Sequence, residues 1–194
     1  LTALFDVGSP PYAVPVTTFI DRRAARVLLV DDVGRILLLH GSDPGRAGFD
    51  YWFTPGGGLE PGESMAAAAV RELAEETGLR LAPDELGEPV WREVTEFPFD
   101  GRWYRQEQEF FLARVPSWTP DTAGFDEIER MSIDALRWWT PAELTGTTER
   151  IYPAELAAVL GSAVDGLAVD GGPAVDGGPV VDGRAVAAGG GEAC

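Results

Sequence analysis

Residues 57–79 read GGLEPGESMAAAAVRELAEETGL, and the reading of this stretch decides the fold. Ser64 is a natural N-cap, alanines 66–69 favour helix, and Gly78 stands where a glycine ends one. The stretch therefore predicts a helix from about Met65 to Thr77. At 3.6 residues per turn, Glu72, Glu75 and Glu76 share one face within about 100° of arc. Ala66, Val70, Leu73 and Thr77 cluster elsewhere and are expected to form the buried stripe. Ala68, one turn before Glu72, is expected to leave access to the carboxylates.

Three carboxylates so spaced repel one another, by a few tenths of a kcal/mol per pair, roughly, on a bare helix. A divalent cation removes that cost, and Mg²⁺ takes oxygen ligands while keeping waters and substrate phosphates in its other positions. The glycines before the helix allow close backbone approach, and the helix N-terminus favours anions. Surface pairing is the competing account of these glutamates, because Arg71 precedes Glu75 by four residues and Arg80 follows Glu76 by four.

The complete spacing is Gly57, Glu63, Arg71-Glu72-Leu73, Glu75-Glu76 and Gly78-Leu79. It resembles the signature of the Nudix family at every fixed position, and the resemblance extends over about residues 24–160, with WFTPGG leading in and RWWTPAEL leading out. The resemblance implies an α/β fold, a Nudix-type α/β/α sandwich around a mixed β-sheet. It implies hydrolysis of a diphosphate linkage in a nucleoside diphosphate derivative: a nucleoside triphosphate, a nucleotide sugar or a dinucleoside polyphosphate. Carried over by position, Glu72, Glu75 and Glu76 match the metal-binding carboxylates, and Gly57 matches a glycine whose carbonyl completes the site. Glu63 and Arg71 match residues that orient the glutamates. The cofactor implied is Mg²⁺, with Mn²⁺ as a substitute. The general base varies among subfamilies, and Glu72 is one candidate. Glu109 and Glu107, two apart on one strand, and Glu127 and Glu129, in an acidic loop, are others; Glu109 ranks first and Glu127 second.

Outward from the motif, ARVLLV (25–30) and RILLLHG (35–41) flank the turn DDVG, which reads as a β-hairpin. Residues 41–50 read as a loop. Residues 89–99 and 102–115 read as two strands joined across Asp100-Gly101, a strong hairpin turn. Residues 116–131 read as an acidic loop and 135–140 as a strand. Thr140 to Glu143 combine a capping box with proline at the first helical position, and Pro153 is expected to open a last helix to about Leu160. Residues 1–20 read as an irregular segment, 21–161 as the Nudix domain, and 162–194, with AVDG three times and VVDG once, as a tail without order of its own.

Arg46, Arg102 and Arg105 are candidates for meeting phosphates, and Trp52, Trp103 and Tyr104 for stacking a base, with core packing the stronger reading for Trp52. His40, the only histidine, is expected to be incidental. The formal charge is −17, from 32 acidic and 15 basic side chains. The tail holds five acids and one arginine, so the preceding residues keep most of that charge. Such a surface points to a small nucleotide made acceptable by a bound cation, and away from nucleic acid and anionic membrane. The only cysteine is Cys194, so no intrachain disulfide forms, consistent with a cytoplasmic setting. Homodimerisation stays open. Two other classes compete with an active hydrolase: a catalytically inactive Nudix-fold regulatory module, against which all box glutamates are kept, and a calcium-stabilised interaction protein working through the tail.

Overall fold

The computed structural model describes residues 18–125, 127–164 and 169–170. The expectations for residues 1–17 and for nearly all of the tail lie outside them. The strands are β1 (Phe19–Asp31), β2 (Ile36–Ser42), β3 (Asp50–Phe53), β4 (Gly56–Gly58), β5 (Trp91–Phe99), β6 (Arg102–Val115), β7 (Ile133–Trp139), β8 (Ile151–Tyr152) and β9 (Val169–Asp170). The helices are α1 (Met65–Thr77), α2 (Glu127–Ser132), α3 (Pro141–Gly146) and α4 (Leu156–Val164). The strand order is β8-β3-β2-β1-β6-β5-β9, with β4 also on β1 and β7 also on β2. Among the described residues no helix is long and apolar enough to cross a membrane.

Strand β1 organises the molecule. It runs parallel to β6 from Phe19↔Trp103 to Asp31↔Val115. Its residues from Ala24 onward are buried, as expected of a central strand covered on both faces. Ala25, Val27 and Leu29 enter a core with Ala68, Ala69 and Leu73 of α1. Leu28 and Val30 enter a second core with Trp139 and with Leu156, Val159 and Leu160 of α4. The sheet is thus a layer between helices, the expected sandwich.

Within its buried half, β1 changes neighbours. Ala24, Ala25 and Arg26 pair with Gly58, Gly57 and Gly56 of β4, whereas β2 joins β1 at Val30↔Ile36. The sheet therefore has two wings, β2-β3-β8 and β6-β5, which meet at the end of β1.

Local sequence explains the turns. Asp31 Oδ1 accepts from the amides of Val33 (3.1 Å) and Arg35 (2.7 Å), closing the first hairpin. Asp100 (φ 48°) and Gly101 (φ 73°) both adopt the left-handed backbone, the mark of a tight two-residue hairpin turn. The Ser64 hydroxyl accepts from the Ala67 amide and Gly78 caps α1 with φ 75°, at the boundaries expected.

Other boundaries moved. β1 begins at Phe19, inside the segment expected to be irregular, because its exposed first half carries the charges Asp21, Arg22 and Arg23 and hides the strand period. The loop expected over 116–131 contains the start of α2, and β7 begins at Ile133. Pro153 starts a turn that closes on the Leu156 amide (3.1 Å), and α4 follows it, running to Val164, past the expected boundary at 161. Two residues of one AVDG repeat, Val169 and Asp170, pair in parallel with Trp91 and Arg92.

Candidate active site

The site is built where α1 lies under β4. Glu76 is 1% exposed, and its Oε2 accepts the Gly56 amide at 2.7 Å. Glu72 is 7% exposed and lies directly beneath Gly57. A Cβ on Gly57 would stand 2.6 Å from the Glu72 carboxyl carbon. A Cβ on Gly56, at φ 129°, would stand 2.1 Å from the Ala25 carbonyl oxygen. These two glycines thus let the strand slide between β1 and the carboxylates.

This corrects the expected division of the helix. Glu72 and Glu76 belong to the buried face with Leu73 and Thr77, while Ala66 and Val70 are only partly buried. Ala68 is fully buried in the core rather than held open beside the carboxylates. Glu75 is the more accessible of the three, with its side chain 35% exposed.

Arg71 joins the carboxylates. Its Nε and Nη2 donate to the two oxygens of Glu63, each at 3.0 Å, and Nη2 also donates to the Gly58 carbonyl at 2.9 Å. Its Nη1 donates to Glu72 Oε1 (2.6 Å) and Glu75 Oε2 (3.1 Å). Burial works against the guanidinium charge, but Glu63 and Glu72 outweigh it and hold the group charged more firmly than usual. Neutralising Arg71 would leave three carboxylates, Glu63, Glu72 and Glu75, facing one another, Glu72 among them buried.

The donor set suits a hard cation. It is all oxygen, and two carboxylates converge closely enough to share one arginine nitrogen. Among the described residues no three carboxylate, imidazole or thiolate groups make a closed cage.

The other candidates are scattered. Glu109 stands in one row with Ala25 and Gly57 across β6, β1 and β4, and Arg92 holds it at 3.2 Å. Glu127, exposed, opens α2, three residues after Gly124, whose Cα packs against the backbone of Glu75. Glu107 pairs with Arg23 at 3.9 Å on the exposed sheet surface. Arg105, on that surface, is occupied by Glu96 at 2.8 Å, and Trp103 is 44% exposed there. Arg46 stacks on Phe49, with Cζ 3.7 Å from the ring centroid, and Arg102 is exposed at the β5–β6 turn. Trp52 is a core residue: it packs on Trp139, and its indole N–H donates to Glu149 at 2.6 Å. His40 stacks on Trp52 and bonds Asp134 through Nδ1 at 2.5 Å.

The wing formed by β1, β6 and β5 holds a polar ladder that the sequence reading missed. Arg22 Nε donates to Gln106 Oε1 (2.5 Å), Gln106 Nε2 to Gln108 Oε1 (2.7 Å), and Gln108 Nε2 to Glu93 Oε1. Burial pushes the Glu93 carboxyl up to about 7, and the charge of Glu155 adds to this, against Gln108 and Arg26. Arg26, 2% exposed, donates to the carbonyls of Thr54 (3.3 Å) and Gly56 and so links β1 to the glycine strand. Gln106 and Gln108, alternating with Glu107 and Glu109, were the available signal: polar residues on both faces of an interior strand need a partner on each.

Comparison with known proteins bears on this geometry. The NUDIX domain family matches residues 21–158. The chain belongs to the NUDIX family. It is 36% identical over 143 residues to the RNA pyrophosphohydrolase of Roseobacter denitrificans, covering 68% of this chain and 82% of that protein. It is 33% identical over 109 residues to the RNA pyrophosphohydrolase of Erythrobacter litoralis, covering 48% of this chain and 60% of that one. The fold is similar to the MutT protein from Methanosarcina mazei (TM-score 0.55, 19% identity, covering 76% of this chain and 96% of that one). It is also similar to the MutT NUDIX hydrolase from Burkholderia pseudomallei (TM-score 0.51, 23% identity, covering 72% and 96%).

Proposed function

We propose that this NUDIX protein is an active metal-dependent pyrophosphohydrolase that cuts the diphosphate linkage of a nucleoside diphosphate derivative by water attack on phosphorus. The observation that carries this is the pair of buried carboxylates, Glu72 and Glu76, packed under a strand of bare glycines, with Glu72 joined to Glu63 and Glu75 through Arg71. Buried charges kept at a fold's edge, with room made by glycines, are costly for stability alone and fit a cation site.

Glu72, Glu75 and Glu76, with the Gly57 carbonyl, would hold Mg²⁺ or Mn²⁺, which when bound neutralises phosphate charge and acidifies a bound water. Arg71 and Glu63 act as positioning residues, because they set the carboxylate orientation before any substrate arrives. Glu109 is the leading base candidate: it lies on the site's own side of the sheet, one strand removed from Gly57, and Arg92 fixes its carboxylate. The Gln variants of Glu109 and Glu127 decide between them. A steep fall in kcat at saturating metal and substrate marks the base; near-normal kcat in both turns the assignment to Glu72.

The test of the function is hydrolysis of a panel with Mg²⁺ or Mn²⁺: nucleoside triphosphates, ADP-ribose, dinucleoside polyphosphates and a 5′-triphosphorylated RNA oligonucleotide. The RNA end is the second reading, favoured by the names of the relatives at 33% and 36% identity. Against it stands the −17 formal charge, which opposes a long polyanion more than a single nucleotide. No hydrolysis of any member, with metal binding absent, would favour the inactive regulatory module.

A further inference from the structure

The segment that leads from β6 towards α2 is a strap laid across the last turn of α1. The Ser117 hydroxyl donates to Asp32 Oδ1 (2.6 Å), and Trp118 meets Trp138 edge to face with centroids 5.4 Å apart. The Asp121 amide donates to the Thr77 carbonyl at 2.9 Å, one of the carbonyls that a helix end leaves without an internal partner. Phe125, 6% exposed, enters the core of Leu39, Tyr51, Phe53 and Ile133. The strap is thus pinned on α1 at Asp121 and in the core of the β2-β3 wing at Phe125.

Gly124 lies between the two pins. Its φ is outside the left-handed region, so a side chain there would meet contact rather than backbone strain. That contact is with Glu75. A Cβ on Gly124 would stand inside contact distance of the Glu75 carbonyl oxygen, 3.0 Å from its Cα and 3.1 Å from its carbonyl carbon. These are backbone atoms of a helix and cannot swing aside as the end of a side chain can. The strap is also pressed close at its other pin, where a Cβ on Gly78 would stand 3.0 Å from Asp121 Cβ. A side chain at position 124 is therefore a wedge under a strap held on both sides, and the turn that carries Glu75 takes up part of the displacement. Glu75 has its side chain 35% exposed and accepts from Arg71 at 3.1 Å. A small change in its direction matters, because Mg²⁺ demands near-ideal octahedral geometry.

We infer that Gly124 is a positioning residue of the cation site: by letting the strap lie flush on α1, it fixes the turn that presents Glu75. The inference rests on the reading of Glu75 as a cation ligand given above.

The experiment is a titration of the full chain with Mn²⁺, followed by electron paramagnetic resonance, for the native protein, Gly124→Ala, Glu75→Gln and the double variant, with a melting temperature for each. Gly124→Ala should weaken Mn²⁺ binding at least about 10-fold, the scale of other residues that orient a metal ligand. The double variant should bind within about 2-fold of Glu75→Gln alone, because both changes act through one carboxylate. A residue that only supports the fold would lower the melting temperature and leave the Mn²⁺ affinity of the folded protein unchanged. Asp121→Ala removes the acceptor of the Ala123 amide (2.9 Å) and loosens the strap, yet keeps the amide bonded to Thr77. Added to Gly124→Ala, it should restore part of the affinity, since the strap then yields in place of the helix. Unchanged Mn²⁺ affinity in Gly124→Ala, losses that simply add to those of Glu75→Gln, or a Gly124→Ala chain that does not fold would each overturn the inference. Absence of Mn²⁺ binding by the native chain would overturn it together with the cation site. Affinities that follow the expected pattern, with no member of the nucleotide panel hydrolysed by the native chain, would keep the inference and overturn the hydrolase reading instead.

Discussion

Glu76 tests the site at the scale of one residue. Its carboxylate is buried, bonded to the Gly56 amide, and set beside the carboxylates gathered by Arg71. Glu76→Gln keeps an acceptor for that amide and removes one charge from the cation site. Turnover should fall on the order of 100-fold or more, with the melting temperature within about 5 °C of native. Full activity at limiting Mg²⁺ would remove Glu76 from the ligand set. Glu93 makes a different prediction. Its folded value of about 7 lies above the ordinary 4.5, so the folded state holds its proton more tightly than the unfolded chain. The stability this confers is complete below about pH 4.5 and is lost as pH rises through about 7. The window is worth up to about 3 kcal/mol. Urea unfolding from pH 5 to 8 should show that decline, and Glu93→Gln should flatten it; equal slopes in the two proteins would mean that Glu93 titrates normally.

At the scale of elements, the strand of glycines and the helix beneath it form one device. Gly57→Ala puts a carbon 2.6 Å from the Glu72 carboxyl and must displace it, so activity should collapse while the fold survives. Gly62→Ala is the control: its φ of 81° strains any side chain by about 1 kcal/mol, but nothing lies within 4 Å and activity should persist. Equal loss in both variants would assign the effect to backbone strain alone. This device was legible in the sequence, because Ser64, Gly78 and the glutamate spacing are local signals that need no knowledge of the rest of the chain. The direction of Glu72 and Glu76 was not. Helix periodicity groups side chains by angle, but whether a face meets water or a glycine strand depends on what packs over it. The start of β1 was hidden for a related reason, since Asp21, Arg22 and Arg23 sit where neither face is fully covered.

Across the whole molecule, the core of Leu28, Val30 and Trp139 closes with α4, whose last buried residue is Ala163. Removing residues 165–194 deletes the two-residue strand on β5 and most of a glycine-rich repeat, whose ordering entropy few valines can offset. We expect the shortened chain to melt within about 5 °C of the full one and to keep its kcat/KM. A larger drop would show that the repeats brace the β5 edge. The acidity lost with the tail is largely screened at physiological salt, so solubility at low salt is where the two lengths should differ.

The parallel pairing of β1 with β6 also has a temporal side. Arg22 and its partner Gln106 are 84 residues apart in the chain. At ribosomal rates of roughly 5–20 residues per second, β1 is made about 4–17 s before the strand that completes it. During that interval VLLV, the run at the heart of the sheet, has one side unpaired and is a target for chaperones or for another nascent chain. Production in a cell is therefore expected to respond to slower growth and to holdase supply more than to changes at the mature surface.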